Sequence, residues 1–172
     1  MKIFIVNGQG GCGKTTFEET IQSYMQHTYH KEASILSIIT PIKTIAKHIG
    51  WDGKKDNKDR AFLHDLKVLL HNYNNFDYNY IDRYVQYAWE LQRDVVFIDM
   101  REDQDIEWFK EKYKNKYEIR TIFVTRGVTK IFGNPADDNV NSAMYDYIIK
   151  NDRDLESLRE KAIQFYEKEI KI

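Results

Sequence analysis

The chain is poor in the residues that usually punctuate or cross-link a fold: it has one cysteine, two prolines and eight glycines in 172 residues. The lone thiol, Cys12, cannot close an internal disulfide, so no cystine scaffold is available and nothing points to secretion. Long apolar runs are also missing. The longest near the start, Ile3 to Val6, falls far short of a signal-peptide core or a membrane span. The expectation is a cytoplasmic protein with no membrane partner. Neither sign of charge dominates: 26 basic and 27 acidic side chains leave a formal charge of -1, which argues against a nucleic-acid partner. What the chain does contain excludes disorder, because 14% of it is aromatic. Its length suits one domain spanning 1–172, with roughly two-thirds of the unfolded surface hidden on folding. Four of the eight glycines lie between Gly8 and Gly13, and that crowding needs a reason.

The patterning alternates. Ile3-Phe4-Ile5-Val6 reads as a buried strand, and Lys14 to about Tyr29 as a helix with Phe17, Ile21 and Met25 along one side. Ser34 to Ile39 reads as a second strand, and a helix opening at Pro41 carries Ile42, Ile45, Ala46 and Ile49 until Gly50. A polar loop over 51–59 leads to two helices, one striped by Phe62, Leu66, Leu69 and Tyr73, the other by Tyr80, Tyr84, Tyr87 and Leu91. The Asn/Tyr-rich stretch 72–79 is expected to turn between them. Strands follow at 95–98, 119–125 and 145–149, with helices at 105–117 and from Arg153 onward. Strands alternating with helices predict an α/β fold: a parallel sheet of about five strands covered on both faces.

Gly8-Gln9-Gly10-Gly11-Cys12-Gly13-Lys14-Thr15 matches G-x-x-x-x-G-K-[ST] at every fixed position, between a strand and a helix. Glycines let the backbone curl until its N–H groups converge on phosphate oxygens. The helix N-terminus adds a positive dipole end, Lys14 a mobile cation, and the Thr15 hydroxyl a ligand for Mg²⁺. Thr16 offers a second hydroxyl. Cys12 occupies a variable slot with no base near it in sequence, so it reads as filler rather than a nucleophile. The loop implies ATP and Mg²⁺ as cofactors but is shared by GTPases, motor ATPases and kinases. The guanine-reading Asn-Lys-x-Asp is absent, its nearest approach being Asn115-Lys116-Tyr117-Glu118. A ring ATPase would be longer. Small size, with a helical insertion at about 41–93, points to a P-loop kinase acting on a small molecule.

The remaining segments gain meaning from their order. Thr40-Pro41-Ile42-Lys43 follows the second strand, Asp59-Arg60 opens a helix, and Asp82-Arg83 and Trp89 lie on the next. Asp99-Met100-Arg101 ends the third strand, and Asp146-Tyr147-Ile148-Ile149-Lys150-Asn151-Asp152 spans the fifth. In this order they resemble the bacteriophage deoxynucleoside monophosphate kinases, relatives of the adenylate and dephospho-CoA kinases, from Lys2 to about Leu158. The resemblance implies a P-loop kinase three-layer sandwich that moves the γ-phosphoryl of ATP to a (deoxy)nucleoside monophosphate. It departs at Asn151-Asp152-Arg153, where the family has Asn-Asp-Gly, and at Ala136-Asp137-Asp138 in place of Ser-Glu.

Roles can then be weighed. Asp99, at the carboxyl end of a buried strand, either holds Mg²⁺ or orients the acceptor phosphate, with a helix N-cap as the plainer reading. Arg101 can grip phosphate with its planar fork or pair with Glu102 or Asp105. Arg60 and Arg83 are candidate clamps for an acceptor dianion, while Arg93 suits a helix C-terminus. Lys43 divides evenly between acceptor contact and solvated charge, and the resemblance adds Thr40 to the acceptor side. Trp89 and the striped tyrosines are core or pocket wall. Arg126 begins a lid loop at about 126–142, where an arginine can meet charge on the transferring phosphoryl group, with Lys130 as a helper. The resemblance places Asn151 at the adenine edge, against a plain turn. The histidines show no metal-ligand spacing. Two other readings stay open: a kinase for a different small acceptor such as a coenzyme precursor, and a non-catalytic nucleotide-binding regulator using the aromatic surface between Tyr73 and Tyr87. A homodimer is also left open.

Overall fold

A computed structural model describes residues 1–54, 56–127 and 145–171. Five parallel strands form the central layer: β1 (Lys2–Asn7), β2 (Ala33–Ser37), β3 (Val95–Asp99), β4 (Glu118–Thr125) and β5 (Tyr147–Lys150), in the spatial order β2-β3-β1-β4-β5. The connecting helices are α1 (Lys14–Tyr29), α2 (Thr40–His48), α3 (Asn57–Asn74), α4 (Phe76–Glu90), α5 (Asp103–Tyr113) and α6 (Leu155–Phe165), the last running into a π-helical turn, Tyr166–Ile170. The α/β sandwich expected from the alternation is therefore present. Of the expected lid, only Arg126 and Gly127 fall within the described residues; Lys130 and the Ala136-Asp137-Asp138 segment lie outside them.

The sheet is apolar on both faces because each is covered. Alternate residues of β1 divide the work. Phe4 and Val6 join Phe97, Ile122 and Val124 beneath Phe17, Ile21 and Met25 of α1 and Leu158, Ala162 and Phe165 of α6. Ile3 and Ile5 join Val96 and Ile98 beneath Ile81, Val85 and Ala88 of α4 and Ile106 and Phe109 of α5. A third cluster, Ile42, Ala46 and Leu63 with Trp51 packed on it, binds α2 to α3 beyond the sheet's carboxyl edge.

Several expected details shift. The turn between α3 and α4 is Asn75 alone, held at φ 53, so the stretch 72–79 is almost wholly helical. Asparagine tolerates this left-handed conformation better than most side chains, which is why one residue suffices. The helix after the polar loop starts earlier than expected, at Asn57, because the Asp56 carboxylate accepts the Asp59 N–H at 2.9 Å as an N-cap. The expected stripes hold only in part: Phe62 and Leu66 pack on the third cluster, and Tyr80 and Tyr84 on the second. Leu69 and Tyr73 are exposed, and α3 instead buries Leu63 and Lys67. On α4 the buried face is Asp77, Ile81, Val85 and Ala88, leaving Tyr87 and Trp89 in solvent. Trp89 is thus neither core nor acceptor wall; it sits about 5.8 Å from Tyr117, near the amino edge of the sheet. Each buried stripe includes a charged residue with a partner, and an apolar-periodicity count cannot see such a residue.

Candidate active site

The loop between β1 and α1 forms the floor of the site. Gly8 has φ 145, and a Cβ there would stand 2.2 Å from the Val124 carbonyl oxygen. Gly13, at φ 106, would press a Cβ to 2.8 Å from both the Asn151 amide nitrogen and Leu158. Only glycine fits either position without moving β4 or α6. Asn7 starts the curl: its buried carboxamide oxygen accepts the Gly8 N–H at 2.6 Å, and its nitrogen donates to the Arg101 carbonyl at 3.0 Å and to the Tyr145 hydroxyl at 2.6 Å. One side chain thereby ties the loop to the segment after β3, a role that no motif announces.

Lys14 opens α1 and is 8% exposed; its ammonium donates to the Gly8 carbonyl at 2.7 Å and to that of Gln9 at 3.3 Å. Those carbonyls keep the cation folded over the loop. Cys12 is buried beneath it, with burial pushing its thiol up and disfavouring thiolate, in keeping with the filler reading. Thr15 faces solvent at the mouth and Thr16 is half-buried beside it.

Parallel register brings the strand ends level: Asp99 is paired with Val6 on one side and Ser37 on the other. Asp99 does not cap a helix, since the N-cap of α5 is Glu102. Burial raises its carboxyl above the usual range, opposed by the positive charges of Lys14, Arg101 and Lys43, and its Oδ1 has no hydrogen-bond partner among the described residues. An unpartnered carboxylate oxygen in the same cleft as the Thr15 hydroxyl suits a divalent cation. Behind it lies Glu18, fully buried on the next turn of α1, with both oxygens unpartnered among the described residues. Burial, reinforced by the charge of Asp99, pushes Glu18 up to about 9. At neutral pH Glu18 therefore holds its proton.

A cleft of about 670 Å³ rises from the loop between α2, α3 and the start of α5. It is lined by Gly10, Gly11, Gly13 and Lys14 to Thr16 at one end, with Lys43, Arg60, Asp99 and Arg101 around them. The Arg60 guanidinium lies 3.4 Å from where a Gly10 Cβ would be, so α3 delivers a cation directly onto the phosphate loop. Six lysines and arginines line the cleft against three carboxylates, a local excess in a chain whose total is -1.

Other candidates lie apart from this cleft. Thr40 is exposed at the start of α2, its carbonyl accepting from Thr44. Arg83 is exposed on α4, donating to the Asn79 carbonyl at 3.2 Å, while its neighbour Asp82 pairs with Lys112 and accepts the Tyr113 hydroxyl. Arg126 is exposed at the end of β4. Asn151 is 7% exposed and donates to the Cys12 carbonyl at 2.9 Å, while its own N–H donates to Thr125 at 2.7 Å. It braces the back of the phosphate loop. Arg93 forms an ion pair with Glu32 and is remote from the cleft.

Sequence reasoning overlooked Lys67, His64, Trp51, Glu102 and Asp105, all of which line the cleft. Lys67 is 6% exposed, with Asp105 at 2.7 Å and Glu102 at 2.8 Å. Burial opposes its charge, but the two carboxylates outweigh that and hold the ammonium above its usual range. The available signal was helical spacing: Arg60, His64 and Lys67 recur at four and three residues on one face of α3.

No family model matches the chain, and no curated protein sequence matches it. Among solved structures, a candidate kinase from Chloroflexus aurantiacus J-10-fl is similar over 96% of both chains, with a TM-score of 0.57 and 11% identity. The APS kinase of Mycobacterium tuberculosis, in a cysteine-to-alanine variant, also aligns over 96% of both chains, at a TM-score of 0.50 and 11% identity. At such identities the likeness concerns architecture. The chain shares the fold of these two kinases, a five-stranded parallel sheet with helices on both faces, along nearly their whole length.

Proposed function

We propose that this protein is an ATP-dependent phosphotransferase whose acceptor is a nucleoside monophosphate, most naturally a deoxynucleotide. One observation carries the reading: the phosphate loop and a separate group of cations, Lys43, Arg60 and Arg101, line the same cleft. A loop alone describes a nucleotide binder. Further cations gathered beside the loop, beyond its own Lys14, suit a site for two phosphorylated molecules meeting head to head.

Lys14 and the loop amides would bind the β- and γ-phosphates of ATP, which requires the lysine to leave the Gly8 and Gln9 carbonyls. Mg²⁺, held by Thr15 and Asp99, would neutralise part of the phosphate charge. The positive charges of Lys14, Arg101 and Lys43 oppose the burial that raises the Asp99 carboxyl, and bound Mg²⁺ would favour its ionised form further. Arg60 and Arg101 would hold the acceptor phosphate in line with the donor, and Lys43 would offset the remaining repulsion. Positioning and charge compensation are what phosphoryl transfer chiefly demands, since little covalent chemistry falls to the protein. Arg126, at the end of β4, is proposed to bring one more cation to the transferring phosphoryl group.

The acceptor screen decides it. Purified protein with Mg·ATP and each deoxy- and ribonucleoside monophosphate should yield the corresponding diphosphate, and Lys14→Ala should abolish the reaction. The competing small-acceptor reading draws on the APS kinase likeness of fold. If other phosphorylated or sulfated acceptors react while no nucleoside monophosphate does, that reading replaces this one.

A further inference from the structure

The cleft has two electrostatically different ends. Near the loop, Lys14, Arg101 and Lys43 surround one carboxylate, Asp99, and Arg60 lies over Gly10. Farther along α3, Lys67 faces two carboxylates, Glu102 and Asp105, so that trio is net negative where the group beside the loop is positive. Seven residues separate Arg60 from Lys67, and at 1.5 Å each the second lies about 10 Å along the helix from the first. That span suits a molecule with one anionic head and an uncharged, hydrogen-bonding tail. It rejects an acceptor carrying anions at both ends, because a second anion would meet Glu102.

The far end is also built rather than incidental. Asp105 is 1% exposed and receives the Lys67 ammonium on one oxygen and the Tyr78 hydroxyl, at 3.0 Å, on the other. Tyr78 is in turn stacked on Trp108 at 3.7 Å. Both oxygens of Asp105 are thus committed, and Lys67 is pinned between carboxylates. Glu102 is the more open of the two, with its side chain 24% exposed. Beside this polar edge, Trp51 and Leu63 give the cleft an apolar wall that suits a flat ring, and the buried Trp51 indole N–H has no partner among the described residues.

We infer that Lys67 and Glu102 form the specificity edge of the acceptor site, donating to and accepting from the rim of a planar nitrogen heterocycle that lies against Trp51 and Leu63. The inference rests on the nucleoside monophosphate reading and names the residues that read the base. Lys67 supplies a donor and Glu102 an acceptor, side by side. Asp105 and Tyr78 act through Lys67 as positioning residues.

The test uses the full chain with Mg·ATP and five acceptors: dAMP, dCMP, dGMP, dTMP and deoxyribose 5-phosphate, which has the same head and no ring. The expected result is at least tenfold lower kcat/KM for deoxyribose 5-phosphate than for the best deoxynucleotide. In Glu102→Gln, whose amide reverses half of the edge, the ratios among the four deoxynucleotides should change at least tenfold through acceptor KM. The KM for ATP should stay within twofold. Lys67→Arg, which keeps the charge and the Asp105 pair, should shift the ratios in the same assay and guards against misfolding, with melting temperature recorded for both variants. If the deoxynucleotides react but deoxyribose 5-phosphate does as well, or neither variant alters the ratios, this inference is overturned and the kinase reading survives. If no monophosphate reacts, both fall together.

Discussion

Glu18→Gln should make this protein more stable, although it removes a side chain beneath the phosphate loop. Glu18 is fully buried, both its oxygens lack partners among the described residues, and its carboxyl is raised from 4.5 to about 9 by burial and by Asp99. In the unfolded chain the same carboxyl ionises normally. Between pH 4.5 and 9 the folded form therefore binds more protons, and stability falls as pH rises through that window. Each pH unit is worth about 1.4 kcal/mol, so by pH 7 the wild type has lost about 3 kcal/mol that a glutamine of the same shape would not lose. For a domain of this size that is a rise in melting temperature of roughly 6–12 °C. Urea unfolding of the nucleotide-free protein at pH 5, 7 and 8.5 measures it. The gap between variant and wild type should be small at pH 5 and widen with each unit. A gap that is constant with pH, or a variant no more stable than wild type at pH 7, would refute the protonated-carboxyl argument.

Gly13→Ala should lose about 1–3 kcal/mol of stability and most ATP binding, because the position combines φ 106 with a Cβ contact of 2.8 Å; calorimetric titration with ATP and thermal melting check both. Asn151→Ala should cost about 1–2 kcal/mol and weaken ATP binding several-fold, since the Cys12 carbonyl loses its buried donor; an Asn151 reading the adenine edge would instead change ATP-versus-GTP preference. Lys67→Met should destabilise by about 3–5 kcal/mol by leaving Asp105 charged and buried, measured by denaturant midpoint. Arg60→Ala should raise acceptor KM at least tenfold while Arg83→Ala changes it less than twofold, because only the first lines the cleft; steady-state kinetics with the best acceptor separate them.

The legible part of the site was the part built from adjacent residues. Gly8 to Thr15 are neighbours in the chain, and their chemistry depends on local backbone geometry, so the motif and the flanking strand and helix declare it. Asp99 was legible for a related reason: the carboxyl end of a buried parallel strand is where such sheets place ligands. The acceptor side was harder to read. Arg60 and Arg83 both sit on helices beside an aspartate, yet α3 turns one onto Gly10 while α4 turns the other to solvent. Hydrophobic stripes read both helices only in part, because their inward faces also carry Lys67, whose partner Asp105 comes from a distant segment, and Asp77, whose partner His71 lies across the turn on α3.

Sequence alone thus determined the alternating α/β architecture and the phosphate-binding loop, because both follow from local periodicity and from backbone freedom at particular glycines. Only the tertiary structure decided which cations share the cleft, that Asn151 braces the loop from behind, and that Glu18 holds a proton. Those outcomes depend on burial and on partners that folding brings from far along the chain. The balanced charge of the whole conceals a positive group and a negative trio in one cleft, a polarity that appears only when α3 is laid beside the sheet's carboxyl edge.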